Sequence, residues 1–236
     1  MNSIVQISNL TKKYNNNLAL DNLNLELKNG TVVGLLGPNG SGKTTLIKIL
    51  AGLLRSYSGE VLIDGEAPGP ITKAYVSYLP DRSILNNFNK ISDSIKFFED
   101  FFEDFNTSKC KNILNSLALN EDSKIKSLSK GMVEKLHLSL ILARKAKLYI
   151  LDEPIAGVDP VARDEILNAI IDNIEPESTM IISTHLVRDI ENIFDEVAFI
   201  SNGKIIEYDI AENIRTQSGI SIDEKYKEIF GGVYND

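Results

Sequence analysis

Gly37-Pro38-Asn39-Gly40-Ser41-Gly42-Lys43-Thr44-Thr45 is the stretch whose reading decides the fold. It fits G-x-x-x-x-G-K-[ST], a pattern that acquires meaning when a strand precedes it and a helix follows. Both are present in the pattern of residues. The apolar run from Thr31 to Leu36 reads as a buried strand, and Leu46-Ile47-Lys48-Ile49-Leu50 as the start of a helix. The glycines let the backbone bend around an anion without Cβ clashes. The amide N–H groups then point inward, beside the positive end of the helix dipole. Lys43 can reach the outer phosphates of a nucleotide as a point charge, and the Thr44 hydroxyl can ligate Mg²⁺. The alternative is a glycine-rich turn that binds nothing; the flanking strand and helix argue against it.

The 236 residues are 43% apolar and carry a formal charge of −8. That suits one large domain, or a domain with an inserted subdomain, around an ample core. An acidic chain is a poor non-specific partner for nucleic acid, so a nucleotide must be held by local charge. A single cysteine, Cys110, rules out an internal disulfide and points away from zinc, as befits a reducing cytoplasm. Met1-Asn2-Ser3-Ile4-Val5 lacks a basic segment followed by a long apolar one, so no signal peptide is expected. No apolar run reaches the length of about 18 residues that would cross a membrane. Asn15-Asn16-Asn17 is a short polar turn, and no internal repeat is evident.

Along the chain, Ile4 to Ile7 reads as a first strand. Leu23, Leu25 and Leu27 alternate with polar residues at the period of a half-buried strand. Asn29-Gly30 is a turn leading into the strand before the loop. Glu60 to Ile63, followed by Asp64-Gly65, reads as strand and turn, and Tyr75 to Leu79 as another strand. From Asn86 to about Lys126 the pattern turns helical. Phe97, Phe98, Phe101, Phe102 and Phe105 recur at helical spacing against Glu99, Asp100, Glu103 and Asp104, with Ser92 or Asp93 as cap. Ile113, Leu114 and Leu117 mark a second helix. The α/β alternation then returns. Helices are expected over Met132–Lys145, Ala162–Ile174 and Leu186–Phe194. Strands are expected over Leu148–Leu151, Met180–Ile182 and Val197–Ile200, with Asn202-Gly203 as a hairpin turn into Lys204–Ile206. The class is α/β, with a mostly parallel sheet covered by helices on both faces.

Leu148-Tyr149-Ile150-Leu151-Asp152-Glu153 is an apolar strand ending in two carboxylates. Ligands of open α/β sheets bind at such carboxyl ends. Asp152 can hold Mg²⁺ opposite Thr44, and Glu153 can polarise a water. His185 follows a strand end in Ser183-Thr184-His185, within reach of a terminal phosphate. His137, the other histidine, reads as a solvent or packing residue.

With these motifs in this order, the chain resembles the nucleotide-binding subunit of an ATP-binding cassette (ABC) transporter over nearly its whole length. Tyr14 matches the aromatic residue that stacks on adenine, Gly37 to Thr45 the Walker A loop, and Leu128-Ser129-Lys130-Gly131-Met132 the signature. Asp152 matches the Walker B aspartate and Glu153 the general base. Ala156-Gly157-Val158-Asp159 matches the D-loop and His185 the switch histidine. The resemblance implies a P-loop NTPase with an N-terminal antiparallel β layer and an inserted helical subdomain. On the resemblance, residues 1–236 are expected to form a single ABC ATPase domain, with 1–82 and 129–236 as nucleotide-binding core and 83–128 as the helical subdomain. Glu153, His185 and Lys43 are expected, on the same resemblance, to be the catalytic group. ATP contacts are expected from Tyr14, Gly37, Pro38, Asn39, Gly40, Ser41, Gly42, Lys43, Thr44, Thr45, Ser129 and Gly131. Mg²⁺ contacts are expected from Thr44, Asp152 and Asp81.

Three positions depart from the family. Asp81 stands where a glutamine usually links metal and water to the helical subdomain; it lacks the amide donor but can ligate a metal. Lys130 replaces a glycine of the signature and Met132 a glutamine, while Ser129 and Gly131 remain to address a phosphate. The resemblance further implies two ATP sites at the interface of a head-to-tail dimer, with an identical or paralogous second subunit. It implies a separate integral membrane permease that places the chain at the inner face of the cell membrane. Most phenylalanines should form the subdomain core, with one or two lining a groove for a permease helix. The Leu-Pro-Asp and Leu-Ser-Lys-Gly variants look most like cassettes of bacterial exporters. A soluble ABC-type ATPase acting on nucleic acid or the ribosome is the competing class. It would show a long coiled coil or two cassettes in one chain, and neither is seen. A regulatory GTPase would need an Asn-Lys-x-Asp motif, and a P-loop kinase would not need the signature, D-loop and switch histidine together.

Overall fold

The computed structural model describes residues 3–15 and 17–231. Met1, Asn2, Asn16 and residues 232–236 lie outside the described residues, and with them parts of the N-terminal stretch, the polar turn and the tail. The strands in chain order are β1 (Ser3–Tyr14), β2 (Asn17–Lys28), β3 (Val32–Leu36), β4 (Ser58–Ile63), β5 (Val76–Leu79), β6 (Leu148–Asp152), β7 (Thr179–Thr184), β8 (Glu196–Ser201) and β9 (Lys204–Ile210). They form two sheets. One is antiparallel with order β2-β1-β4; the other has six strands with order β5-β6-β7-β3-β8-β9, all parallel except β9.

Strand alternation divides the core. Val33, Leu35, Leu148, Ile150, Ile181 and Ile200 point to the face shared with the antiparallel sheet and α1 (Lys43–Leu50). Leu36, Tyr149, Leu151, Met180, Ile182 and Phe199 point to the opposite face. That second face is covered by α2 (Ile91–Phe101), α3 (Thr107–Ser116), α4 (Lys130–Leu142) and α5 (Pro160–Asn173). The β8–β9 hairpin turns at Asn202 and Gly203 with φ of 47° and 75°, the double positive φ that an Asn-Gly turn supplies.

Several expectations are corrected. The first strand runs on from Ile7 to Tyr14, because its pairing slips between Ile7 and Leu10 and again around Lys12, which breaks the period-two pattern. The phenylalanine helix ends at Phe101, so Phe102 and Phe105 lie in the turn after it. Its start is at Ile91: Asp93 sits inside the first turn and accepts from the Lys90 amide at 2.8 Å, rather than capping from outside. Phe98 is core, Phe102 and Phe105 are half-buried, and Phe97 and Phe101 are exposed. α4 begins at Lys130, two residues early, because the Ser129 hydroxyl caps it by accepting from Met132 N at 3.3 Å. It stops at Leu142, because the Ala143 carbonyl accepts from Asn106 N and the Lys145 amide turns to Asp104 O.

The helix expected over Leu186–Phe194 is one turn, α6 (Val187–Ile190), followed by a tighter turn over Glu191–Ile193. Glu191 is diverted to the tail: its carbonyl accepts from Arg215 and its carboxylate from Asp223 N. The tail itself holds α7 (Ala211–Asn213), a wide turn over Ile214–Ser218 and α8 (Ile222–Phe230). Ser221 and Glu224 cap α8 reciprocally, a signature that was present in the sequence.

Candidate nucleotide site

The sheet order brings the ends of β3, β7, β6 and β5 side by side, and the loop of residues 37–42 leaves β3 among them. The loop is fixed by close approach. A Cβ on Gly37 would fall 2.3 Å from the Ile200 carbonyl oxygen, and one on Gly42 would fall 2.7 Å from that of Ala19. Gly42 also has φ of +113°, which a side chain would strain. Ser41 O accepts from Gly203 N at 2.8 Å, so the β8–β9 hairpin holds the loop from behind. Lys43 opens α1, and its buried ammonium donates to the carbonyls of Gly37 (2.6 Å) and Pro38 (3.2 Å).

The acidic side is built on β6 and β7, where Asp152 pairs with Ser183. The Ser183 hydroxyl donates to Asp152 Oδ1 at 2.5 Å. Glu153 follows with φ of 53°, a left-handed conformation held by its amide donating to Ser183 O at 3.0 Å. Such strain in a non-glycine residue persists where the surroundings enforce it, as functional sites do. Glu153 Oε1 lies 2.9 Å from His185 Nδ1 and 3.9 Å from Lys43 Nζ. Burial lowers the pKa of Lys43 from its ordinary value, against the opposing charges of Glu153 and Asp152. Burial raises that of Asp152. The Ser183 hydroxyl pulls it back, the Asp81 charge pushes it further, the Thr44 hydroxyl opposes, and Glu153 adds to the rise.

Ser41 Oγ, Tyr78 OH, Asp152 Oδ2 and Glu153 Oε2 are buried without a hydrogen bond among the described residues. Each such group costs about 1–3 kcal/mol if left unpaired. Three of these atoms sit on the loop and the carboxylates around Lys43, and Tyr78 feels the charges of Asp152 and Asp81. The set fits a polyphosphate with a hard divalent ion. Ser41 and Lys43 can donate to phosphate oxygens, while Asp152 Oδ2 and Thr44 offer oxygens to the metal. No group of three or more His, Cys, Asp or Glu that could hold a metal is found among the described residues. Mg²⁺ retains waters and borrows phosphate oxygens, so one carboxylate and one hydroxyl are enough protein ligands for it.

Residues 20–156 match the family model described as ABC transporter. The chain belongs to the ABC transporter family. An uncharacterized ABC transporter ATP-binding protein of Methanocaldococcus jannaschii is 34% identical over 215 residues, covering 89% of this chain and 79% of that protein. A lantibiotic transport ATP-binding protein of Streptococcus pyogenes is also 34% identical, over 218 residues, covering 89% of this chain and 94% of that one. A solved ATP-binding subunit of an ABC transporter superposes with a TM-score of 0.84 at 26% identity, covering 96% of this chain and 99% of that chain. The cassette is thus an ATPase that binds ATP with Mg²⁺. No helix among its described residues is long and apolar enough to cross a membrane.

Lys43, Thr44, Asp152, Glu153 and His185 converge in this cassette. Asp81 is exposed but close enough for its charge to act on Asp152. Ser129 and Gly131 stand apart: Ser129 is exposed, and a Cβ on Gly131 would touch Ala162, Asp159 and Val158. Tyr14 is 43% exposed at the end of β1. His137 is a buried packing residue, and its Nε2 accepts from Ile84 N at 3.3 Å, bracing the segment after Asp81. The sequence reading missed Ser183 and Tyr78. Ser183 was visible as the polar residue two before His185, and Tyr78 as a polar group in an apolar strand.

Proposed function

We propose that this cassette hydrolyses ATP at a head-to-tail interface with a second nucleotide-binding subunit, identical or paralogous, and that the cycle drives export through a separate membrane permease. The observation that carries the reading is an incomplete site. The phosphate loop, Asp152, Glu153 and His185 come together, whereas Ser129 opens an exposed helix start that packs on Val158, Asp159 and Ala162. A helix start of this kind takes an anion, and the loop at residues 37–45 already holds the chain's own.

Thr44 and Asp152 would hold Mg²⁺, with Asp81 contributing from the rim, and the ion would supply neutralisation of phosphate charge. The amides of residues 37–45 and the Lys43 ammonium bind the phosphates. His185 Nδ1 donates to Glu153 Oε1, which leaves Oε2 to take a proton from an attacking water. The opposite nitrogen of His185 can donate to the terminal phosphate when both ring nitrogens carry a proton. Ser129 and Gly131 contact the ATP held by the other subunit, and Tyr14 stacks on the base. Residues 83–128, as a helical subdomain between core segments 1–82 and 129–236, present the stacked Phe97 and Phe101 rings (5.6 Å between centres) to a permease helix. The permease holds the cassette at the cytoplasmic face of the membrane. The direction is supported by a Cupriavidus metallidurans relative named a Nod factor export ATP-binding protein, 29% identical over 235 residues.

Glu153→Gln tests the chemistry. With ATP and Mg²⁺, hydrolysis is expected to fall roughly 100-fold or more while a dimer accumulates by light scattering. Unchanged turnover removes Glu153 as base. Co-expression with a membrane protein encoded beside it tests the coupling. Recovery with membranes is expected, and recovery with ribosomes or DNA would overturn the transporter reading.

A further inference from the structure

One buried cation has no part in the chemistry above. Lys12 is 8% exposed, and its ammonium donates to the Ser56 carbonyl. The same ammonium lies 4.9 Å from the centre of the Tyr14 ring. No carboxylate salt-bridges it among the described residues; a carbonyl and an aromatic face are its partners. The ring is thus backed by a cation and 43% exposed to solvent.

The pairing of β1 with β2 locates this ring relative to the phosphate loop. Lys12 pairs with Leu20 and Tyr14 with Asn17. A Cβ on Gly42 would lie 3.0 Å from Leu20 Cδ2, so the Lys12–Leu20 pair abuts the loop. Two strand residues, about 7 Å, carry the chain from there to Tyr14. That span suits the base of a nucleotide whose phosphates occupy the loop.

We propose that Lys12 is a positioning residue for base recognition. This rests on the reading of Tyr14 as the base-stacking residue. Pinned by Ser56, the ammonium attracts the negative face of the ring and fixes its orientation before the nucleotide arrives. It also draws π density toward the covered face. The open face becomes poorer in electrons and favours the large, electron-rich surface of a purine over a pyrimidine.

Calorimetry on the full chain with Mg²⁺ tests this, using ATP, CTP and inorganic triphosphate as probes. Lys12→Met is expected to weaken ATP roughly three- to tenfold, CTP less, and triphosphate not at all. Lys12→Arg should retain most of the ATP affinity. In a Tyr14→Ala background, Lys12→Met should add nothing. If Lys12→Met proves unstable, Lys12→Gln keeps a donor for Ser56 without the charge, and should weaken ATP alike. Equal weakening of ATP and triphosphate, or an effect that persists without the ring, would show a general charge effect and overturn the proposal. So would unchanged ATP affinity in Lys12→Met while Tyr14→Ala binds weakly. If Tyr14→Ala itself binds ATP normally, base stacking fails first and the role of Lys12 falls with it.

Discussion

Arg144 and Lys43 are both buried cations, yet their surroundings are opposite. Arg144 donates to both oxygens of Asp104 (2.9 and 3.1 Å) and to the carbonyls of Lys73, Ala74 and Val76, with its guanidinium 4.0 Å from the Phe102 ring centre. It ties the turn after α2 to the segment entering β5. Its own carbonyl accepts from Tyr149 OH at 2.6 Å. Lys43 donates only to two carbonyls of its own loop, and beside it Asp152 Oδ2 and Glu153 Oε2 have no hydrogen bond among the described residues. Burying a charge costs several kcal/mol before compensation. Around Arg144 the chain compensates itself, so the region stabilises the fold. Around Lys43 two carboxylate oxygens are left without partners, which suits a region that takes a ligand.

The largest effect should come from opening the closed network. Arg144→Met strands Asp104 and three carbonyls, and is expected to cost about 3–5 kcal/mol in denaturant unfolding. A loss below about 1 kcal/mol would show that Arg144 is dispensable and break the contrast. Conversely, removing a charge from the open site should stabilise. Asp152→Asn is expected to raise the melting temperature of nucleotide-free protein by a few degrees, about 1 kcal/mol, while abolishing Mg²⁺-dependent hydrolysis. The sign follows from the raised pKa. A folded value above the unfolded one contributes stability at low pH that is lost as pH rises through the folded value. The advantage of asparagine should therefore shrink as pH falls through the raised folded value and be gone below the ordinary carboxyl value of 3.8. A lower melting temperature at neutral pH would contradict it. The smallest effect sharpens the rim. Asp81→Gln should shift the Mg²⁺ dependence of hydrolysis by roughly a few-fold with stability unchanged, since Asp81 is exposed. Superimposable titrations would make Asp81 a spectator.

The sequence exposed the open site far better than the closed one. Gly37–Thr45, Asp152-Glu153 and His185 each follow an apolar run at a strand end, a local pattern that names both element and chemistry. The hydrogen-bond partners of the Arg144 guanidinium lie 40 to 71 residues away, and no spacing rule connects them. Lys12 and Ser56 are likewise 44 residues apart. The phenylalanine spacing was helical through Phe101. The turn that follows is set by contacts between Asn106 and Ala143 and between Asp104 and Arg144, which outweigh periodicity.

By itself, the amino-acid order determined the class of fold, the glycine-rich loop after β3 and the pair of carboxylates at the end of β6, because periodicity and backbone sterics act over a few neighbouring residues. Only the tertiary structure decided which buried charges are neutralised within the chain and which oxygens are left for a ligand. Desolvation and hydrogen bonding depend on what packs against a group, and here those partners come from distant segments.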